Sequence, residues 1–529
     1  GDDMFKLIDN ISLQLRYDLE IPSSHIESTE CLPLLDIYTN SMKAFEYYVK
    51  GRVANLGYDS TSCEEYYNKA LTEDKNFAFM HYTLSDLHMD NDAVDKLTES
   101  LNNAMSLLYK FPELLQYKVK NRYFRFVEKN PDKLIKLNEL WTKLDPNSIE
   151  AYLELGAAYY ISGDLDNALK SALVVYNMDL SNFGHLNHII NIHTRRKNYE
   201  EAIILLTKFC NNFPDNYRSY VALGELYEAM GDFHKAKDQF ETASLLEPNN
   251  NFIKLRLCNL ETKFGNFDSA INQLIILDKD PRKTSDEKYE IYRALSLIYK
   301  KYGQIKTSVK YVEKMYELGF LWSFAKVQDA GALAWKYIEI GDKKAATKII
   351  NELKRKNVES AHGLMAQSWL ADIYLFQGEY EKFEKCLQTA YSGLTQLAVD
   401  DFIKHRKERM LGTVCENKND YKDAIHHYKA ALHESPGWHT WAGVPQPRSV
   451  GRCYRKLKQY DKSEEHLVAV LKEDPFHPQT HYELGQLYHD MKNTKKAKEH
   501  MKIAVDIWKD ADPEYAIAHK AKDIYQDWK

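Results

Sequence analysis

Apolar positions recur three and four residues apart through most of the chain, the period of helices with one buried face. The stretch Tyr217 to Asn250 shows the pattern most plainly. Tyr220, Leu223, Gly224 and Tyr227 fall on one helical face, Gly231 and Asp232 interrupt it, Ala236, Phe240 and Ala243 mark a second face, and Pro248 ends it. The pattern predicts two antiparallel helices. Gly224 and Ala236 have almost no side chain, so the pair can approach closely, with Tyr227 and Phe240 filling the remaining space. Such a pair is apolar on both sides and cannot bury both alone, so one pair predicts stacked neighbours.

The eight spaced positions of this stretch follow W/Y-x2-LG-x2-Y-x8-A-x3-F-x2-A-x4-P, and on them the sequence resembles the tetratricopeptide repeat (TPR) family, with its period of about 34 residues. The resemblance implies an all-α fold, a right-handed superhelical solenoid of antiparallel helix pairs. Residues 41–280 read as an N-terminal TPR array, and 149–182 is a clear repeat with Tyr152, Leu155, Gly156, Tyr159, Gly163 and Ala168. The repeat near Leu115 is degenerate, with Arg122 where Gly is expected. Residues 281–404 read as divergent TPR-like repeats, spaced about 37 to 41 residues apart. Residues 405–511 read as C-terminal TPR repeats, and 512–529 as a capping helix with one apolar and one charged face. Residues 1–40 read as a capping amphipathic helix followed by a linker.

That opening resembles a junction in multidomain bacterial signalling proteins, where an "LFxLIDxLxxxIxxDL" helix, an acidic-Pro linker and "SxxAFxYYxKG" join a TolB-like module to a TPR array. Phe5, Leu7, Ile8, Asp9, Asp18 and Leu19 match the helix. Ser41, Ala44, Phe45, Tyr47, Tyr48, Lys50 and Gly51 match the array entry. The resemblance implies a sensor or interaction region behind a cyclase, kinase or DNA-binding domain encoded upstream.

Composition narrows the function. The 529 residues are 44% hydrophobic and 28% charged, which suits a folded array rather than a disordered chain. A formal net charge of −6 argues against a general electrostatic grip on nucleic acid. No apolar run is long enough to insert in a membrane. Seven scattered cysteines lack metal or redox spacing and lean towards a reducing, cytoplasmic compartment. Phosphate-loop, dinucleotide, nucleophile-elbow and zincin motifs are missing, so neither an enzyme, a cofactor nor a metal site is expected in this segment. His185 with His188, and His426 with His427, lack a third ligand.

The expected chemistry is recognition. In the TPR family the first helix of each pair lines the concave surface. The register places Tyr48, Tyr82 and Tyr123 there in the N-terminal part, and Arg406, Arg409, Arg448, Arg452 and Arg455 in the C-terminal part. Arginine forks grip carboxylates and phosphates in bidentate fashion, which points to a protein or peptide partner of acidic character. Ordinary packing for the aromatics, and a solvated helix face for the arginines, are the competing readings. Few acids accompany the basic cluster on the inward positions, Glu416 being the nearest of them. The segment 436–447, PGWHTWAGVPQP, carries Trp438 and Trp441 as candidate lips over the basic groove, or as covers for a seam between repeats. The functional expectation is a non-catalytic peptide-binding scaffold. The alternative is a standalone array that self-associates or holds a small ligand.

Overall fold

A computed structural model describes residues 2–18, 38–56, 60–90, 94–280, 282–318, 323–358, 360–392, 400–434 and 446–528. Among them are 28 α-helices and no strand. The chain divides into two compact units, residues 1–202 and 203–529. Between Met42 and Ile507 the helices follow one another as thirteen pairs.

The pair at Tyr217–Met230 and Phe233–Leu246 shows why these residues make these elements. The side chain of Asn216 accepts from the N–H of Arg218 and opens the first helix. Gly231 closes it in the left-handed conformation, φ 79°, which costs glycine nothing. Asp232 then accepts from Lys235 N–H and caps the second helix. Between the helices, a Cβ on Gly224 would stand 2.7 Å from the Phe240 ring, so only a bare backbone lets that ring lie fully buried. Gly51 under Tyr67 and Gly412 under Tyr428 repeat the arrangement.

The left-handed turn marks the register along the chain. It falls at Lys129, Gly163, Lys197, Gly231, Gly265, Gly303, Gly341, Gly378, Asn419, Lys458 and Lys492. The intervals are 34 residues as far as Gly265, 37 to 41 from there to Lys458, and 34 again to Lys492. The longer intervals come from longer first helices, such as Ser285–Lys301, Ser323–Glu339 and Asp400–Asn417.

In the first unit, the degenerate third pair replaces the glycine contact with polar bonds. Asn121 donates to Asn138 at 2.9 Å, both buried. The next residues, Tyr123–Val127, form a π-helical turn that absorbs an extra residue. Arg122 pairs with Asp86 at 2.5 Å and lays its guanidinium over Tyr82 at 4.1 Å. In the opening helix, Asp2–Asp18, the side chains of Leu7, Ile11 and Leu15 are exposed.

The second unit folds back on itself. Trp508 donates its indole N–H to the carbonyl of Lys301, and Asp512 N–H bonds Gly303 O at 3.0 Å. Lys301 pairs with Asp474 at 2.6 Å, and Lys263 donates to Glu473 O. The turns at Gly265 and Gly303 thus abut residues 473–515. A Cβ at Gly303 would meet Tyr515 at 2.6 Å and Ala511 at 2.8 Å, and one at Gly265 would meet Phe476. The terminal helix Ala516–Asp527 buries Ala518 and Ala521, and Trp528 stacks on His489 at 4.5 Å.

This closure makes a differential prediction. Gly341 shares the left-handed backbone (φ 81°), but a Cβ added there would meet nothing within 4 Å. Ala at either site carries the same backbone cost, so Gly303→Ala is expected to destabilise the second unit by roughly 1–3 kcal/mol more than Gly341→Ala. Paired thermal or urea unfolding curves of the two variants check the difference.

Candidate ligand-binding surface

The five arginines named from the sequence stand on two first helices, Asp400–Asn417 and Gln446–Lys456, and the next first helix, Pro478–Asp490, supplies acids to them. Arg406 and Arg409 lie one helical turn apart and both reach Asp372 of the preceding pair, Arg406 at 2.5 Å. Arg406 is 2% exposed, donates to Ser368 Oγ at 3.0 Å, and rests its guanidinium 3.8 Å from the Trp369 ring centre. Burial pulls its pKa down to about 10, against the opposing pull of Asp372.

Arg452 makes a two-point bond to Glu416, 2.5 and 2.7 Å, and Tyr428 donates to the same carboxylate at 2.8 Å. Burial works against the charge of Glu416, but those hydrogen bonds outweigh it and hold the carboxyl below the usual range. Arg455 contacts Glu483 at 3.5 Å, Asp490 at 3.0 Å and Gln486 at 2.6 Å. Glu416 is the partner visible in the sequence. Asp372, Glu483 and Asp490 are the ones sequence reading missed; like Glu416, which lies 36 residues from Arg452, each stands about one repeat from its arginine, 28 to 37 residues away. A search at repeat spacing for acids opposite each arginine is the signal that finds them.

Arg448 differs from the other four. It is 8% exposed and makes no ion pair among the described residues; its Nε, like those of Arg409 and Arg455, has no hydrogen-bond partner there. Burial pulls its guanidinium down to about 10, reinforced by the charge of Arg452. Trp438 and Trp441 lie outside the described residues.

The aromatic candidates belong to the first unit. Tyr48 is half-buried among Tyr38, Phe45, Phe77 and Phe79, with ring centres 5.9 to 6.2 Å away. Tyr82 is buried beneath Arg122, and Tyr123 lies edge-on to Phe124 in the π-helical turn. The structure places Tyr48 and Tyr82 in packing contacts of successive pairs, and Tyr123 against Phe124 within its own turn.

A cavity of about 200 Å³ opens beside Arg406 and Arg409 in the second unit. The first helices of four successive pairs line it: Ser285–Lys301, Ser323–Glu339, Ala361–Phe376 and Asp400–Asn417. Its polar groups include Tyr289, Asp329, Lys300 and Lys336. Tyr289 donates to Asp329 at 2.9 Å, and Lys336 donates to Ser308 Oγ at 2.6 Å. Burial pushes Asp329 up to about 6 and pulls Lys336 down to about 7. Asp329 and Lys336 sit seven residues apart on one otherwise apolar helix face, a sequence signal that periodicity alone passes over. No group of three or more His, Cys, Asp or Glu among the described residues has metal-holding geometry, and His427 instead bonds Glu408 at 2.8 Å.

Comparison with known proteins agrees with the hairpin geometry. Residues 217–250 and 478–507 match the family model for the tetratricopeptide repeat. The fold is therefore of the tetratricopeptide type, a scaffold typical of protein-interaction modules. Similar solved structures include the yeast Tom70, at 13% identity and a TM-score of 0.35, covering 92% of this chain and 95% of that one. Another is the APC/C hetero-tetramer Cut9–Hcn1, at 13% identity and a TM-score of 0.31, covering 91% and 96%. No curated protein matches the sequence. No helix among the described residues is long and apolar enough to cross a membrane.

The ion-pair ladder makes a prediction about stability. Asp372→Asn leaves the buried guanidinium of Arg406 and the part-buried one of Arg409 without their carboxylate, and is expected to cost roughly 3–5 kcal/mol. Asp490→Asn, on an exposed carboxylate, is expected to cost less than about 1 kcal/mol. Denaturant midpoints of the two variants against the parent chain check the contrast.

Proposed function

We propose that the chain is a non-catalytic scaffold that binds a protein or peptide of acidic character through the arginine face of its second unit. The supporting observation is Arg448. Its four neighbours direct their charge to Asp372, Glu416, Glu483 and Asp490, whereas Arg448 is buried with no such partner among the described residues. Arg448 has no carboxylate in ion-pair contact among the described residues, only the more distant pull of Glu483 and Glu416, so it gains from an arriving carboxylate, since water does not satisfy it. In this reading Arg452 and Arg455 hold the surrounding surface in place, and Trp438 and Trp441 are candidates for contact with the bound segment. Nucleic acid is not the partner in this reading, and no cofactor takes part.

The junction residues from Phe5 to Gly51 support a wider context, a sensor or interaction region of a larger bacterial signalling or regulatory protein. The coding sequence upstream of Asp2 tests that context, which requires an effector module there. The alternative, a standalone array acting through self-association or a small ligand, is favoured at one point by the cavity beside Asp372.

Acidic peptides are expected to bind in preference to basic peptides of equal length. Arg448→Gln is expected to weaken that binding roughly 10- to 100-fold, the worth of one charge-assisted hydrogen bond. Titration calorimetry with a defined acidic peptide reads both. Equal affinity for acidic and basic peptides, or undiminished binding by the variant, would overturn the reading.

A further inference from the structure

The cavity between the first helices of the eighth to eleventh pairs has two properties that ordinary packing does not explain. It is mostly apolar in its walls, with Leu297, Met315, Trp335 and Trp369 facing it. Yet five cationic side chains line it against two carboxylates: Arg293, Lys300, Lys336, Arg406 and Arg409 against Asp329 and Asp372. The two carboxylates are already engaged. Asp372 is shared by Arg406 and Arg409, and Asp329 accepts from Tyr289.

Lys336 is buried, and its ammonium donates to the Ser308 hydroxyl. Neither Lys300 nor Lys336 makes an ion pair among the described residues, and the two repel each other. A stability-driven core would put Met or Leu at 336. A cavity of about 200 Å³ also exceeds the roughly 150 Å³ that accommodates benzene. It has room for one ring and a short acidic arm.

The surrounding framework is built to hold this shape. Gly331 interrupts Ser323–Glu339 with a bare backbone, where a Cβ would stand 2.2 Å from the Trp369 indole. The indole therefore lies flat on that helix, and Arg406 stacks on its ring.

We propose that this cavity binds a small organic acid with an apolar body, its carboxylate drawn to Lys300 and Lys336 and its ring or chain held against Trp335, Leu297 and Met315. This inference rests on the small-ligand reading and not on peptide capture at Arg448. Binding is linked to protons. Lys336 faces Ser308, Lys300 and Glu339, and titrates near 7. Asp329 faces Tyr289, and titrates near 6. Arg293, Arg406, Arg409 and Asp372 complete the charged lining. Acidification from pH 8 to pH 6 protonates Lys336 and begins to neutralise Asp329, so both changes make the site more positive.

Titration calorimetry of the full chain with phenylacetate tests the proposal, with 2-phenylethanol as the neutral counterpart and inorganic phosphate as the anion without an apolar body. Phenylacetate is expected to bind, the other two at least tenfold more weakly, and its affinity to rise about tenfold from pH 8 to pH 6. Lys336→Met is expected to abolish that binding and its pH dependence while raising the thermal midpoint. Lys300→Gln, a half-exposed change that spares the core, is expected to weaken binding at least fivefold. Lys336→Met is also expected to leave acidic-peptide binding intact, which separates this site from the Arg448 surface. Equal binding of phenylacetate and 2-phenylethanol, phosphate binding as tight as phenylacetate, or retention of binding in Lys336→Met would overturn it. So would complete displacement of phenylacetate by the acidic peptide, which would make the cavity a part of the peptide groove.

Discussion

In the pairs that carry a mid-helix glycine, the two helices approach most closely where one of them presents no side chain, and much of the architecture follows from that constraint. At Gly224 a single methyl would collide with the Phe240 ring, and at Gly51 with Tyr67. A mid-helix glycine costs about 1 kcal/mol relative to alanine. Burying a phenylalanine or tyrosine side chain returns about 1.5–3 kcal/mol, so the close approach wins. It also fixes the axial register of the pair, because a ring fits over one bare position and not over its neighbours. Each pair so fixed presents an apolar face to the next, and the stack propagates. Ala168, Ala236, Ala346 and Ala497, all buried, keep the same approach open along the chain.

Position along the array then decides what a turn residue does. Gly163 and Gly341 need only the left-handed backbone, as Lys197, Lys458 and Lys492 show by adopting it without being glycine. At Gly265 and Gly303 the missing side chain has a second use. There the turn lies against Phe476 or Tyr515, and the second unit closes through contacts about 200 residues apart in sequence. A glycine at the same place in the repeat thus answers to a local demand in one pair and to a long-range one in another. Only the three-dimensional contacts separate them.

The repeats were legible because their determinants are local: small residues, turn glycines and caps all lie within one period. The boundaries of the reference pair at Gly231 and Pro248, and the long intervals after Gly265, could be read from spacing alone. The charge arrangement was not legible in the same way. Arg406, Arg409, Arg452 and Arg455 each find an acid one repeat earlier or later, and which of several acids each finds depends on helix rotation. The same reason hid the cavity. Its residues come from five helices spread between Tyr289 and Arg409, in the region where the repeat pattern is weakest. A departure from the consensus there is what makes room for chemistry: Gly331 seats an indole across two pairs instead of a ring within one.

Buried charge sets the cavity apart from the arginine ladder. In the ladder, each carboxylate placed between guanidinium groups offsets part of their desolvation, and the pairs also tie neighbouring repeats together. Lys336 has no such return. Its folded pKa, near 7, lies well below that of an unfolded lysine, so its contribution is unfavourable to folding below that point. The sign follows directly: the unfolded chain binds the proton more readily, so acidification through the window from about 10 to 7 destabilises the folded state. Asp329 runs the other way, its raised pKa favouring the folded state as pH falls from about 6 towards 4. Two groups seven residues apart on one helix therefore lower stability at neutral pH, and neither is needed to pack the pair, since Ala330, Leu333 and Ala334 already bury the seam. Stability given up at one place in an otherwise well-formed array is the electrostatic observation that, with the cavity's geometry, supports the proposed ligand site.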